Sequence, residues 1–271
     1  MISIKKILSS KYTVTFVWVV GLMILWEIGA TIIEGTKRSP ENVLPHLYQI
    51  LGSVVETNKV NGTQTAFEMV LSNAGITFLR AGIGFVIGAG VGFLLALLMN
   101  LFLPVEKILF PYLMMIQMIP ILGMAPIVLA ITKDINKSRI IIAAILTFYP
   151  VATNTLAGFK SVSNEKHELM YSLAASKFEV YRKLLIPSSL PYFFTGLKIS
   201  APMAITAAIL VDTLQGGAGL GTALSQSLKH ATTIYIFWQI VFLSAIVGIL
   251  SFYLMVLLEQ TISPYKKKKK K

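Results

Sequence analysis

Six apolar stretches, each of about the length that crosses a bilayer, decide what this chain can fold into. They run from Val14 to Ile33, Phe78 to Leu103, Leu109 to Ile131, Ile140 to Leu156, Leu197 to Leu214 and Ile234 to Leu257. A spanning helix needs about 20 mainly apolar residues to cross a hydrocarbon core of about 30 Å. Inside that core the backbone must satisfy its own hydrogen bonds, which makes each stretch a helix. The expectation is an all-α, polytopic membrane protein with about six transmembrane helices. Composition agrees: only 13% of the 271 residues are charged, against about 25% in a soluble domain. Too little charge is present to cover a water-facing surface.

The stretches divide the chain into a short N-terminal segment (1–13), a membrane domain (14–260) and a basic tail (261–271). Three lysines precede the first stretch, which reads as an uncleaved anchor rather than a signal with a short apolar core. Residues 34–73 are polar, with Leu44, Leu47, Ile50 and Leu51 at helical spacing, so one or two short amphipathic helices are expected there. Residues 158–196 form a second polar segment, helical in pattern and mixed in charge.

The net charge of +12 raises nucleic acid as a partner. Six of the 24 basic residues, however, form the terminal run from Lys266 to Lys271, and most others fall between apolar stretches. That distribution, the terminal run included, fits membrane topology better than a nucleic-acid footprint; a solvated tail or a cloning remnant are the alternative readings of the run. With both ends cytoplasmic, 16 basic residues lie inside and 8 outside; without the terminal run the numbers are 10 and 8. Both termini are therefore placed in the cytoplasm, at an inner or plasma membrane. The group Lys133, Lys137 and Arg139 falls on the outer side, against the rule.

Two stretches carry internal patterns. Gly82, Gly84, Gly88, Gly90 and Gly92 punctuate the second, and small residues let helix backbones approach closely in lipid. Pro111, Pro120 and Pro126 interrupt the third, and each removes a backbone donor. A helix broken in this way is tolerated where protein or a water-filled cavity surrounds it, so the third span is expected to be kinked or unwound and to line an interior path.

The chain has no cysteine, and His46, His167 and His230 are far apart, so no metal site is expected. No nucleophilic triad, paired carboxylates or phosphate loop is present either. No catalytic or cofactor-binding residue is assigned, and any energy for work must come from another protein.

Residues 158–196 contain Glu168-Leu-Met-Tyr-Ser-Leu-Ala174-Ala-Ser-Lys177-Phe178-Glu-Val-Tyr-Arg182-Lys-Leu184-Leu-Ile186-Pro187. Glu168, Lys177, Glu179, Arg182 and Lys183 supply a polar set, and Leu169, Leu173, Phe178, Tyr181 and Leu184 an apolar one. A two-faced helix of this kind suits the surface of another protein or the surface of a membrane.

The same residues resemble the signature of permease subunits of ATP-binding-cassette (ABC) importers: Glu-Ala-Ala, three residues, Gly, nine residues, Ile-x-Leu-Pro. Glu168 falls on the Glu, Leu184 on the Ile, Ile186 on the Leu and Pro187 on the Pro, with spacing kept. Leu169 and Met170 replace the Ala pair, and Ala174 replaces the Gly; the expectation at 174 is a slightly altered turn, with Ala favouring helix. Thr77-Phe78-Leu79-Arg80, Phe148-Tyr149-Pro150, Leu190-Pro191, Gly196-Leu197 and Gly219-Leu220-Gly221 resemble further motifs of the branch that imports sulfonates, taurine, nitrate and thiamine precursors. Asp212 stands where that branch often has Glu.

The resemblance implies the membrane domain of a type I importer. It also implies a second permease subunit, two cytoplasmic ATPase subunits that hold ATP and Mg, and a solute-binding protein outside. It assigns Glu168, Leu169, Leu173, Ala174, Lys177, Phe178, Arg182, Leu184 and Pro187 to ATPase coupling. Arg80, Gln117, Pro120, Tyr149, Asn154 and Asp212 are candidates for the translocation path. For Arg80 the alternatives are snorkelling to head groups, or steering an anion from the cavity. Asp212 pairs either with Arg80 or with a docked binding protein, and Glu27 is either paired in the bundle or interfacial. An ion-driven secondary transporter is the alternative class, disfavoured by the scarcity of carboxylates in the spans and the lack of an inverted repeat. The path's hydrogen-bonding groups favour a small polar organic solute, with an inorganic anion second.

Overall fold

The computed structural model describes residues 11–60, 62–229 and 234–263. Lys5, Lys6, His230 and the terminal lysines lie outside them. Among the described residues the fold is helical, with one isolated bridge between Lys59 and Thr65. The chain forms two compact units, one from the part before residue 71 with residues 226–239, the other from 71–225 with the part after 239.

The first unit holds α1 (Lys11–Thr36), a single 3-10 turn (Pro40–Asn42) and α2 (Leu47–Val55). The latter is the amphipathic helix anticipated between the first two stretches. Its start is fixed by Gln49, whose Oε1 accepts from the His46 backbone N–H at 2.9 Å.

The second unit contains most of α3 (Ala66–Leu101), then α4 (Leu103–Met118), α5 (Ile121–Thr132), α6 (Ile135–Lys160), α7 (Asn164–Ser172), α8 (Lys177–Val180), a π-helical turn (Tyr181–Leu185), α9 (Ile186–Gln215) and α10 (Leu220–Ser227). The last helix, α11 (Ile234–Ile262), begins in the first unit and ends in the second.

Among the described residues, five helices are long and apolar enough to span, and the bent pair α4–α5 makes six if it counts as one span. The bend is 110° and falls at Ile119–Pro120, where the proline motif predicts a break. The spans are longer than the hydropathy pattern indicates. The fourth, drawn as Ile140 to Leu156, is a 26-residue helix. It starts earlier because Asp134 caps it, accepting from the backbone N–H of Asn136 at 2.8 Å and of Lys137 at 3.1 Å. The second span begins at Ala66, where Thr65 and Glu68 cap each other, and the fifth begins at Ile186.

Helices α6 and α9 form the centre of the second unit. Small residues fill this centre: Ala143, Ala152, Ala201, Ala204, Ala207 and Ala208 are all buried. A Cβ on Gly196 would stand 2.8 Å from Val151 Cα, so only glycine allows this approach. Helix α3 packs on α6 the same way through Gly84, Gly88 and Gly92. Gly82 and Gly90 meet nothing, so the glycine stripe expected to form one interface divides into packed and open positions.

Candidate functional site

Three features of the second unit bear on function, and they occupy different levels. At one end, α6 and α9 meet the segment that carries the importer-like signature. Helix α7 ends at Ser172, and the chain turns through Ala174 with φ +49°. The position where the resembled family has Gly therefore adopts the left-handed conformation that glycine favours. Ala174 sits in a turn, as expected at that position, although alanine favours helix over glycine. Helix α8 follows, fixed by a capping box in which the Glu179 N–H donates to Ser176 Oγ at 3.3 Å and the Ser176 N–H donates to Glu179 Oε2 at 3.0 Å.

This segment is folded yet leaves large apolar side chains uncovered. Leu169, Tyr171, Leu173 and Phe178 are 60–87% exposed, and Glu168, Lys177 and Arg182 are exposed beside them. Tyr181 and Leu184 behave differently. They pack against the core around Phe159 and Leu185, and Tyr181 Oη accepts from Asn100 Nδ2 at 2.7 Å. Placing them on the docking face needs correction, because the π-helical turn rotates this stretch toward α3 and α6. Pro187 is half-buried in the first turn of α9.

Midway along the bundle, Gln117 and Tyr149 line one small cavity with Ile119, Met124 and Met203. Its volume is about 10 Å³, room for at most about one water. Pro120 caps α5 at the adjacent bend. Asn154 is set apart from this cavity, its Nδ2 donating to Pro150 O at 2.7 Å in its own helix.

At the end of α6 and α9 remote from the signature segment lies a buried charge network. Arg139 is 1% exposed and Asp212 not at all. Arg139 Nε stands 2.8 Å from Asp212 Oδ1, an ion pair outside hydrogen-bonding angle. Asp212 Oδ2 accepts from Thr77 Oγ1 at 2.5 Å, and Arg80 Nη1 lies 3.6 Å from Oδ1. Both arginines also hold the turn after α9. Arg80 Nη1 donates to Ala218 O at 2.8 Å, Arg139 Nη1 to the same oxygen at 3.1 Å, and Arg139 Nη2 to Gly216 O. The turn needs glycine, with φ of +68° at Gly216, +85° at Gly217 and +147° at Gly219. The Leu220 N–H donates to Thr77 Oγ1 and the Gly219 N–H to Asn73 Oδ1. Cations at a helix C-terminus are favoured by its dipole, and this one has two.

Of the candidate path residues, Gln117 and Tyr149 come together, and Arg80 and Asp212 come together elsewhere. Asp212 takes the option of pairing with Arg80. Arg139 was missed as a site residue. In the sequence it sits in a basic group against the charge rule, and that misfit was its only signal. Lys198 also proves to be paired, 2.8 Å from the buried Glu259 on α11. In the first unit, Glu27 is paired with His46 at 2.6 Å.

Residues 88–264 match the family described as binding-protein-dependent transport system inner membrane component. The formylaminopyrimidine transport permease protein ThiX of Halalkalibacterium halodurans is 30% identical over 247 residues, 91% of this chain and 93% of its own. The nitrate import permease protein NrtB of Synechocystis sp. is 26% identical over 247 residues, covering 91% and 88%. Among solved structures, an amino acid ABC transporter shares the fold with TM-score 0.63 at 17% identity, over 76% of this chain and all of that one. The MetNI methionine ABC transporter, in an inward-facing form, matches with TM-score 0.56 at 19% identity, over 71% and 94%. The chain belongs to the inner membrane component family of binding-protein-dependent transport systems, as a permease subunit of an ABC importer.

Proposed function

We propose that the segment from Glu168 to Pro187 seats on a cytoplasmic ATPase subunit and transmits ATP-driven closure into α6 and α9. The observation that carries this is the exposure of Leu169, Tyr171, Leu173 and Phe178 on a folded, capped segment. Apolar side chains so displayed on ordered backbone mark an interaction surface. Two such ATPase subunits would hold the ATP and Mg, with a second permease subunit, identical to this one, completing the membrane pore. A solute-binding protein would dock on the far side. Alternating access then means a shift between two states of the pore.

Six spans with both termini in the cytoplasm fit this assembly. Arg139 is buried and Arg80 half-buried in one network, and Lys198 is half-buried against Glu259, which removes them from the loop charges. Outside the terminal run, 9 basic residues then remain inside and 6 outside, a clearer bias than before.

The solute is read as a small polar organic molecule or an anion. Relatives are named for formylaminopyrimidine, nitrate and aliphatic sulfonates. The charge network bears on the choice. Asp212, expected to cancel Arg80, is engaged by Arg139, which leaves two cations against one carboxylate. Through its field at that end of the bundle, the surplus would favour an anionic solute.

Copurification tests the coupling. The wild-type chain should retain an ATPase subunit through purification from native membranes. Leu173→Asp and Glu168→Lys should lose it while still inserting. Retention by both variants would remove the segment from the interface.

A further inference from the structure

The first unit contains a helix whose chemistry the import reaction does not use. Helix α2 carries no charged residue over its nine positions. Ile50 and Ser53 face inward, and Ser53 Oγ accepts from Gln239 Nε2 at 2.9 Å. The opposite face displays Tyr48, Leu51 and Val55 at 68, 66 and 80% exposure, one stripe at spacings of three and four.

Its position follows from contacts with the two neighbouring spans. Helix α1 continues to Thr36, but the chain after it does not stand off into water. It folds back, so that Trp26 Nε1 donates to Pro45 O at 3.0 Å and the Leu47 N–H donates to Glu27 Oε1 at 2.8 Å. Glu27 lies nine residues before Thr36, a return of about 13 Å along the helix axis. On the other span, Ser53 meets Gln239, five residues into α11, a depth of about 7 Å. Trp26 and Trp238 pack edge to face at 4.8 Å at this level, with Tyr48 stacked on His46 close by. Tryptophan and tyrosine beside charged groups mark the membrane–water boundary.

We propose that α2 is an interfacial helix whose Tyr48–Leu51–Val55 stripe is seated on membrane lipid. The hydroxyl of Tyr48 reaches toward the head groups, and Leu51 and Val55 enter the acyl boundary. The stripe is uncharged, contiguous and held at the depth of the aromatic pair, which is where an amphipathic helix lies in a bilayer. A face for a soluble partner would carry polar side chains around its apolar centre. This one reaches its first charge only at Glu56, past the helix end. Glu27 and His46 serve as the tether, neutralising each other where the chain re-enters the boundary.

The chain has no cysteine, so single labelling sites are clean. Leu51→Cys and Val55→Cys, spin-labelled in the full chain reconstituted into liposomes, report their surroundings by relaxation. Dissolved oxygen concentrates in lipid, and a water-soluble nickel chelate in water. Tyr171→Cys, 87% exposed in the signature segment, serves as the aqueous control. At positions 51 and 55 oxygen should be the stronger relaxant, and at 171 the nickel chelate. Stronger nickel relaxation at 51 and 55 would place α2 in water and overturn the proposal. So would shielding from both reagents, the result for a face covered by protein.

Discussion

Arg139 and Asp212 meet 2.8 Å apart at the buried junction of α6, α9 and the glycine turn, with neither side chain more than 1% exposed. Removing one partner leaves the other charge buried and uncompensated, at a cost of about 3–5 kcal/mol. Arg139→Gln and Asp212→Asn should each destabilise the purified chain by that order in a denaturation series. The double variant should lose less than the sum, because the pair acts as a unit. Strict additivity would mean that the two side chains are held independently.

The glycines of α3 divide into two groups with opposite expected outcomes. A methyl at Gly88 would stand 2.5 Å from Ala144 O and 2.6 Å from Thr147 Cβ. Gly88→Ala should therefore cost about 1–3 kcal/mol through overpacking. Gly90 has nothing within 4 Å, so Gly90→Ala should be neutral or gain up to about 1 kcal/mol from helix propensity. Thermal unfolding of the two variants side by side separates them.

Ala174 holds a left-handed turn without being glycine. That conformation costs an L-residue about 1–2 kcal/mol. Ala174→Gly should relieve most of it, less the entropy that glycine adds to the unfolded chain. Slower hydrogen exchange at the Ala175 amide, which bonds to Met170 O at 3.0 Å, is the expected signature.

The His46 ring is held charged above its ordinary range, first by its hydrogen bond to Glu27 and then by Glu34. A raised pKa gives stability that is complete below the unfolded value of 6.5 and fades as pH rises through the folded one. Exchange in α2 should therefore quicken as pH climbs above about 6.5, after correction for intrinsic rates. His46→Gln should flatten that dependence.

Much of this fold is legible in the apolar pattern, because lipid permits few alternatives to helix. The break at Pro120 follows from the missing donors of the proline motif. What the pattern obscured was polar sequence that is buried. Residues 135–139 look like a loop, Ile-Asn-Lys-Ser-Arg, and only tertiary contact shows that Ser138 and Arg139 are inside. The wrong-sided basic group was the visible trace of that burial. Tyr181 and Leu184 misled for the reverse reason. An amphipathic count assumes regular helix, and the π-helical turn shifts the faces. Separating Gly84, Gly88 and Gly92 from Gly82 and Gly90 required knowing which face α6 covers.

The coupling account is tested most directly by ATP-driven uptake in proteoliposomes holding this chain, its ATPase subunits and its solute-binding protein. Radiolabelled candidates named by the relatives, formylaminopyrimidine and nitrate, would serve as probes, with ATP hydrolysis followed in parallel. The account predicts uptake that requires ATP, and hydrolysis that the loaded binding protein stimulates. It also predicts that Leu173→Asp abolishes both while the chain remains inserted. Undiminished uptake and hydrolysis with Leu173→Asp would contradict it.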